Sequence, residues 1–211
     1  MRKIRYTLIL IFAVSALYAQ PVGYTKVEDF AKMEKEILEK SKNLSSLNSN
    51  FVQEKTMAYL DEVIVSKGDF WYKHPNKVRW QYNEPFEYVI SINDNRFTIK
   101  DGGKTNQFDT KSNPAFRELN SLIVSIAKGD LISDDRFEIE PFENSENYFL
   151  KLTPKDANMK NFISMTELFI DKATGVAIKI IMYESESDYT VISFSNSKLN
   201  EEISDSIFDI K

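Results

Sequence analysis

His74 is the only histidine in the 211 residues, and there is no cysteine. A nucleophilic triad would need that histidine beside a serine held on a sharp strand-to-helix turn, but no G-x-S-x-G occurs. Zinc needs clustered His or Cys ligands, and calcium needs a loop of spaced carboxylates; neither pattern is present. DGGK at Asp101–Lys104 lacks the spacing of a phosphate-cradling loop and reads as a hairpin turn. The acidic runs DDRFEIE and ESESD read as solvated surface. The expectation is therefore a non-enzyme without metal or cofactor. His74, between Lys73 and Pro75 at a strand end, is expected to serve a structural or gating hydrogen bond.

The stretch GDFWYKHPNKVRWQY, residues 68–82, could do another kind of chemistry. Its aromatics and cations would suit a nucleic-acid platform, but the whole chain has a net charge of −5 and a pI near 5.1. Nucleic-acid binders usually show a basic face, so DNA, RNA and anionic headgroups are poor candidates for the main partner. In a strand, alternate residues share a face. Phe70 and Tyr72, then Val78, Trp80 and Tyr82, then Tyr88, Ile90 and Ile92, fall on one side. Asp69, Lys73, Lys77, Arg79, Gln81 and Ser91 fall on the other. Such a face either fills a core or lines a cavity. The polar edges of Trp80, Tyr82 and Tyr88 tolerate incomplete packing and tilt the reading towards a cavity.

The elements that must position this face are short. The chain opens MRKIRYTLILIFAVSALYAQ, with Arg2, Lys3 and Arg5 ahead of an apolar run from Leu8 to Leu17. That run is too short to span a bilayer, which needs about 20 residues. It reads as a secretory leader cut after Ala19. Removing the leader leaves residues 20–211 as one soluble domain, and takes its three cations from the net charge. From Thr25 to Leu47, apolar residues at Val27, Phe30, Met33, Ile37, Leu44 and Leu47 suit one helix face. About four strands follow (DFWYK, KVRWQY, EYVISI and RFTIKD), separated by HPN, NEP, NDN and DGG. A second helix is expected over 112–129, capped by Ser112 or Asn113, with Phe116, Leu119, Ile123 and Ile126 as its stripe. Five more strands end the chain, with a hairpin at Asp171–Gly175. The fold class is mainly β with α: a meander that must curl to hide its edges and could hold a pocket.

LSSLNSNFVQEK (residues 44–55) and GDFWYKHPNKVRWQYNEP (68–85) together resemble the LolA family of periplasmic lipoprotein carriers. FLKLTPKDANMKNFISMTELFID (149–171) and ISDSIFDI near the end are similar to its later hairpin and terminus. The resemblance implies a curved antiparallel half-barrel with helices as a lid over an apolar cavity. Trp80 and Ile90 match cavity-lining positions, and Phe116, Leu119 and Ile123 would supply lid contacts. It further implies a monomeric periplasmic carrier of lipoprotein acyl chains. Such a carrier is loaded by an inner-membrane ABC-type release complex and unloaded at an outer-membrane acceptor. Where the family has a lid-holding arginine before the proline, this chain has His74. That leaves a weaker latch, or one shared with Arg79 and Lys73. The alternatives are a half-barrel for another lipid, a sensor of mislocalised lipoproteins, or a structural envelope protein with a filled core.

Overall fold

The computed structural model describes residues 21–109, 124–125 and 130–210. Its centre is one antiparallel sheet. The strands are β1 (Thr25–Lys26), β2 (Ser46–Thr56), β3 (Ile64–Lys73), β4 (Lys77–Glu84), β5 (Tyr88–Asn93), β6 (Arg96–Asp101) and β7 (Lys104–Asp109), then β8 (Phe137–Glu143), β9 (Asn147–Pro154), β10 (Met165–Asp171), β11 (Ala177–Tyr183) and β12 (Tyr189–Leu199). Their lateral order is β1-β8-β9-β10-β11-β12-β2-β3-β4-β5-β6-β7. The two ends, β1 and β7, do not pair, so the sheet is a curved half-barrel rather than a closed barrel. Strand twist makes a sheet of this many strands curl, which brings one face inward.

Pairing β12 with β2 joins the late hairpins to the early meander, with Phe194 opposite Phe51 and Leu199 opposite Leu47. The inward residues form one apolar core that includes Phe51, Tyr72, Val78, Ile92 and Phe97 from one half and Leu150, Leu152, Leu168, Ile180 and Ile192 from the other. Helix α1 (Phe30–Lys42) closes the inner side with Met33 and Ile37, both buried. Asp29 caps it by accepting from the Lys32 N–H at 3.0 Å, and Lys40 and Lys42 lie in its last turn, where the helix dipole favours cations. Tyr148 on β9 donates to Glu36 of α1 at 2.5 Å. A second short helix, α2 (Ala157–Lys160), sits between β9 and β10.

Three expectations change. The first helix was expected to run from Thr25 to Leu47 but spans 30–42. Leu44 and Leu47 are three apart, which suits a helix, but SLNSNFVQE also alternates with period two. Pairing on both sides, to β3 and β12, decides for strand. The early meander has six strands rather than about four, because the start of β2 also fits the helical spacing before it and the polar edge strand β7 carries little local signal. Strand β1 falls within the stretch expected to be helical and pairs with β8. The five late strands lie where expected, and so do both hairpin turns. Gly102 and Gly175 there have φ of +55° and +77°, which glycine adopts without a Cβ clash. Of the expected second helix, only Val124 and Ser125 are described; both are helical, and Val124 is buried in the core. Phe116, Leu119, Ile123 and the leader lie outside the described residues.

The last stretch runs across the outer face of β3–β5. Ser204 caps a 3₁₀ turn at Asp205–Phe208. Phe208 is buried, and its carbonyl accepts from the Ser91 hydroxyl at 2.7 Å. The carbonyl of Ile207 accepts from Arg79 Nη1 at 2.6 Å. Lys73 Nζ donates to the Ile203 carbonyl at 2.8 Å and pairs with Asp205 at 2.6 Å, while Lys77 pairs with the other Asp205 oxygen at 3.1 Å.

Candidate functional site

Strand register arranges the inner face of β2–β6 into lateral rows. The row nearest the β3–β4 turn runs Leu47, Tyr72, Val78, Ile92, Phe97. None of these is more than 4% exposed, and Tyr72, Val78, Ile92 and Phe97 are sealed completely. The next row runs Ser49, Phe70, Trp80, Ile90, Ile99. Ser49 and Phe70 are buried, whereas Trp80, Ile90 and Ile99 are half-buried. The third row runs Phe51, Gly68, Tyr82, Tyr88, and both tyrosines are half-buried. On β4–β6 burial therefore falls from the β3–β4 turn end of the half-barrel towards the opposite rim, whereas on β2 and β3 Ser49, Phe51, Gly68 and Phe70 stay buried. The sequence-predicted face is thus brought together on one surface. Its lower members form a packed floor, and its upper members form an incompletely covered wall.

That wall is aromatic. The Trp80 ring lies 5.2 Å from both Phe51 and Phe70 and 6.0 Å from Phe194, all edge-on. Tyr82 packs edge-on against Phe51 at 5.1 Å and Tyr88 at 6.0 Å. Edge-to-face contacts of this kind let rings pack without a polar partner at every edge. The Tyr82 hydroxyl donates to Gln53 Oε1 at 2.9 Å. Burial, reinforced by Tyr88, pushes the Tyr82 phenol up to about 12, so it is neutral at any physiological pH. The indole N–H of Trp80 is buried without a hydrogen-bond acceptor, although it lies close enough to Tyr82 to favour the phenolate slightly. Apart from the Tyr82 and Tyr88 hydroxyls and the Trp80 indole N–H, the wall presents carbon to its surroundings.

Phe51, Gln53, Phe194 and Ile99 complete the wall and were missed as site residues. The signal for the first two was the period-two pair in NFVQE, whose partners became visible only once β2 lay between β3 and β12. Gly68 has a related role. A Cβ there would stand 1.9 Å from the Gln81 carbonyl oxygen and 2.8 Å from the Phe51 ring. The glycine, paired between Phe51 and Tyr82, leaves room for the Phe51 ring.

His74 is exposed at the β3–β4 turn, where its backbone N–H donates to the Ser45 carbonyl at 2.9 Å. Its ring makes no hydrogen bond to a described residue. Arg79 and Lys73, considered as sharers of a latch, are instead both committed to the C-terminal segment on the outer face. Burial there lowers the Arg79 pKa without threatening its charge.

A family model described as "Outer membrane lipoprotein carrier protein LolA" matches residues 42–211. An outer-membrane lipoprotein carrier protein of Francisella tularensis is 25% identical over 211 residues, covering 100% of this chain and 93% of the relative. Among solved structures, the Pseudomonas aeruginosa MucA/MucB complex includes a chain similar in fold, with a TM-score of 0.55 at 15% identity. That match covers 87% of this chain and 61% of the other. An uncharacterised conserved protein of Thermus thermophilus superposes with a TM-score of 0.51 at 11% identity, over 83% of this chain and 92% of the other.

Proposed function

Because the chain belongs to the family of outer-membrane lipoprotein carrier proteins, we propose that it binds the acyl chains of lipoproteins in the periplasm and carries them from the inner to the outer membrane. The observation that carries this reading is the burial gradient: a sealed floor of Tyr72, Val78 and Ile92 beneath a half-open wall of Trp80, Tyr82, Tyr88 and Ile90. A wholly filled core would bury β4 and β5 alike at both ends, as β2 and β3 are buried. Acyl chains would lie against the wall, and the floor gives the half-barrel its stiffness.

The energetics suit a carrier. A buried methylene is worth about 0.8 kcal/mol, so a multiply acylated protein leaves a bilayer only with driven help. That help would come from an ABC-type release complex. A half-covered wall binds chains less tightly than a bilayer does, so delivery to an outer-membrane acceptor runs downhill.

The test is release of radiolabelled lipoproteins from spheroplasts. Added protein should bring them into solution as one-to-one complexes that pass their cargo to outer-membrane vesicles. Purification with a different lipid, and no release of lipoproteins, would replace this reading with a half-barrel for that lipid. Release without handover would mark a sensor of stranded lipoproteins.

A further inference from the structure

Eight large apolar side chains are exposed among the described residues, and seven of them lie at one end of the half-barrel. Tyr59, Leu60 and Val63 are in the β2–β3 connection, with Ile64 and Val65 opening β3. Phe86 lies in the β4–β5 connection and Phe162 between β9 and β10. Register puts all these connections at the same end: Lys55 pairs with Ile64, Tyr82 with Tyr88, Tyr189 with Thr56, and Met165 with Tyr183. This is also the end towards which the aromatic wall opens.

Two features decide what such a rim would touch. Ile64 and Val65 are adjacent, so they point to opposite faces of β3, yet they are 40% and 45% exposed. The β2–β3 hairpin therefore stands clear of the body on both faces. Tyr59, Phe86 and Phe162, at 73–80% exposure, are likewise loop tips rather than walls of a groove. A protein partner with one complementary face would cover one side of such a hairpin, whereas a fluid apolar medium surrounds it. Tyrosine at a tip suits the boundary between headgroup and acyl chain, and phenylalanine suits the apolar side of it. The second feature is charge. The connections 57–63, 85–87, 155–164 and 184–188 hold seven carboxylates against two lysines. Nearby Lys55 and Lys67 are already paired with Glu184 and Glu84, at 2.8 and 3.0 Å. Anionic headgroups would be repelled, while the ammonium groups of zwitterionic ones would be matched.

We infer that this rim is a docking surface for a zwitterionic lipid bilayer, entered by the β2–β3 hairpin tip with Phe86 and Phe162 as flanking anchors. The carrier would then meet a membrane with the open side of its acyl wall facing the lipid. The proposal goes beyond the carrier reading, because bilayer binding by the rim needs no cargo.

The test uses the processed chain, recovered from the periplasm and confirmed by N-terminal sequencing. Partition into protein-free phosphatidylethanolamine/phosphatidylcholine vesicles is measured by sedimentation. The wild type should bind. Leu60→Ser, Phe86→Ser and Phe162→Ser should each lower the partition coefficient by about tenfold, with unchanged circular dichroism. Val22→Ser removes the eighth exposed apolar residue, which precedes β1 at the opposite end, and should change nothing. Adding phosphatidylglycerol should weaken binding. The rim variants should still take up a fluorescent fatty acid, so loss of docking and loss of acyl binding are read separately. Wild-type protein that ignores these vesicles overturns the proposal. So does equal binding by the rim variants, stronger binding to anionic vesicles, or binding only to vesicles that retain membrane proteins.

Discussion

Gly68 and Trp80 set the wall from opposite sides, one by having no side chain and the other by having the largest. Gly68→Ala forces a methyl group against the Gln81 carbonyl and the Phe51 ring. It should destabilise the fold by about 3 kcal/mol, the upper end for overpacking, seen as a lower urea midpoint. Trp80→Asp places a carboxylate where half-buried rings meet, and an unpaired charge resists that environment. Acyl-probe affinity should fall by about tenfold or more while the far-UV spectrum is kept; loss of the sheet would make Trp80 a core residue instead. Tyr82 gives a pH signature. An unfolded tyrosine ionises near 10, whereas here burial and Tyr88 delay ionisation to about 12. Between those values the unfolded state binds fewer protons, so stability present below pH 10 is lost as pH rises towards 12, by about 2–3 kcal/mol. Tyr82→Phe should flatten the alkaline limb of the stability curve; an unchanged limb would assign it to other groups.

At the scale of elements, the C-terminal segment acts as a strap across the outer face of β3–β5. It uses one buried ring, Phe208, and a row of side chains reaching up from the sheet: Lys73, Arg79, Ser91 and Asn93. Phe208→Ala should cost about 3–5 kcal/mol, measurable by chemical denaturation, and should loosen β4 and β5 first in hydrogen exchange. The strap also explains why Arg79 and Lys73 are unavailable on the inner side, leaving His74 alone as the candidate latch at the β3–β4 turn. If it holds the second helical segment, His74→Leu should raise hydrogen exchange across residues 114–128, and His74→Arg should lower it. One hydrogen bond is worth about 0.5–1.5 kcal/mol, so the change should be graded and at most about tenfold. Equal exchange in all three proteins would end the latch idea.

For the whole molecule, the central question is whether an open half-barrel folds as one unit. Its core crosses the β12–β2 seam, with Phe194 against Phe70 and Trp80, and the apolar residues of both halves form one cluster. Both tryptophans, Trp71 and Trp80, belong to β3 and β4. Tryptophan fluorescence therefore reports one half, while far-UV circular dichroism reports the entire sheet. Coincident urea transitions are expected from the shared core. Separate transitions would show that the halves fold independently.

Local chemistry alone determined a good deal here. Alternation in DFWYK, KVRWQY and EYVISI placed Phe70, Tyr72, Val78, Trp80, Ile90 and their neighbours on one face, and glycine at Asp171–Gly175 marked a hairpin. Those signals depend only on backbone periodicity and turn conformation, which each stretch carries within itself. The boundary between α1 and β2 was not legible, because Leu47 continues the helical spacing from Leu44 and also opens the period-two pattern of β2. Long-range pairing with β3 and β12 broke that tie. The polar edge strand β7 was hidden for a related reason: its only sheet neighbour is β6, and its sequence has little to bury. The difference between floor and wall was likewise decided only by the tertiary structure. Tyr72 and Tyr82 are alike in sequence, each an aromatic at an inward position. What separates them is their position on the curled sheet, and that exists only after twelve strands have paired into one.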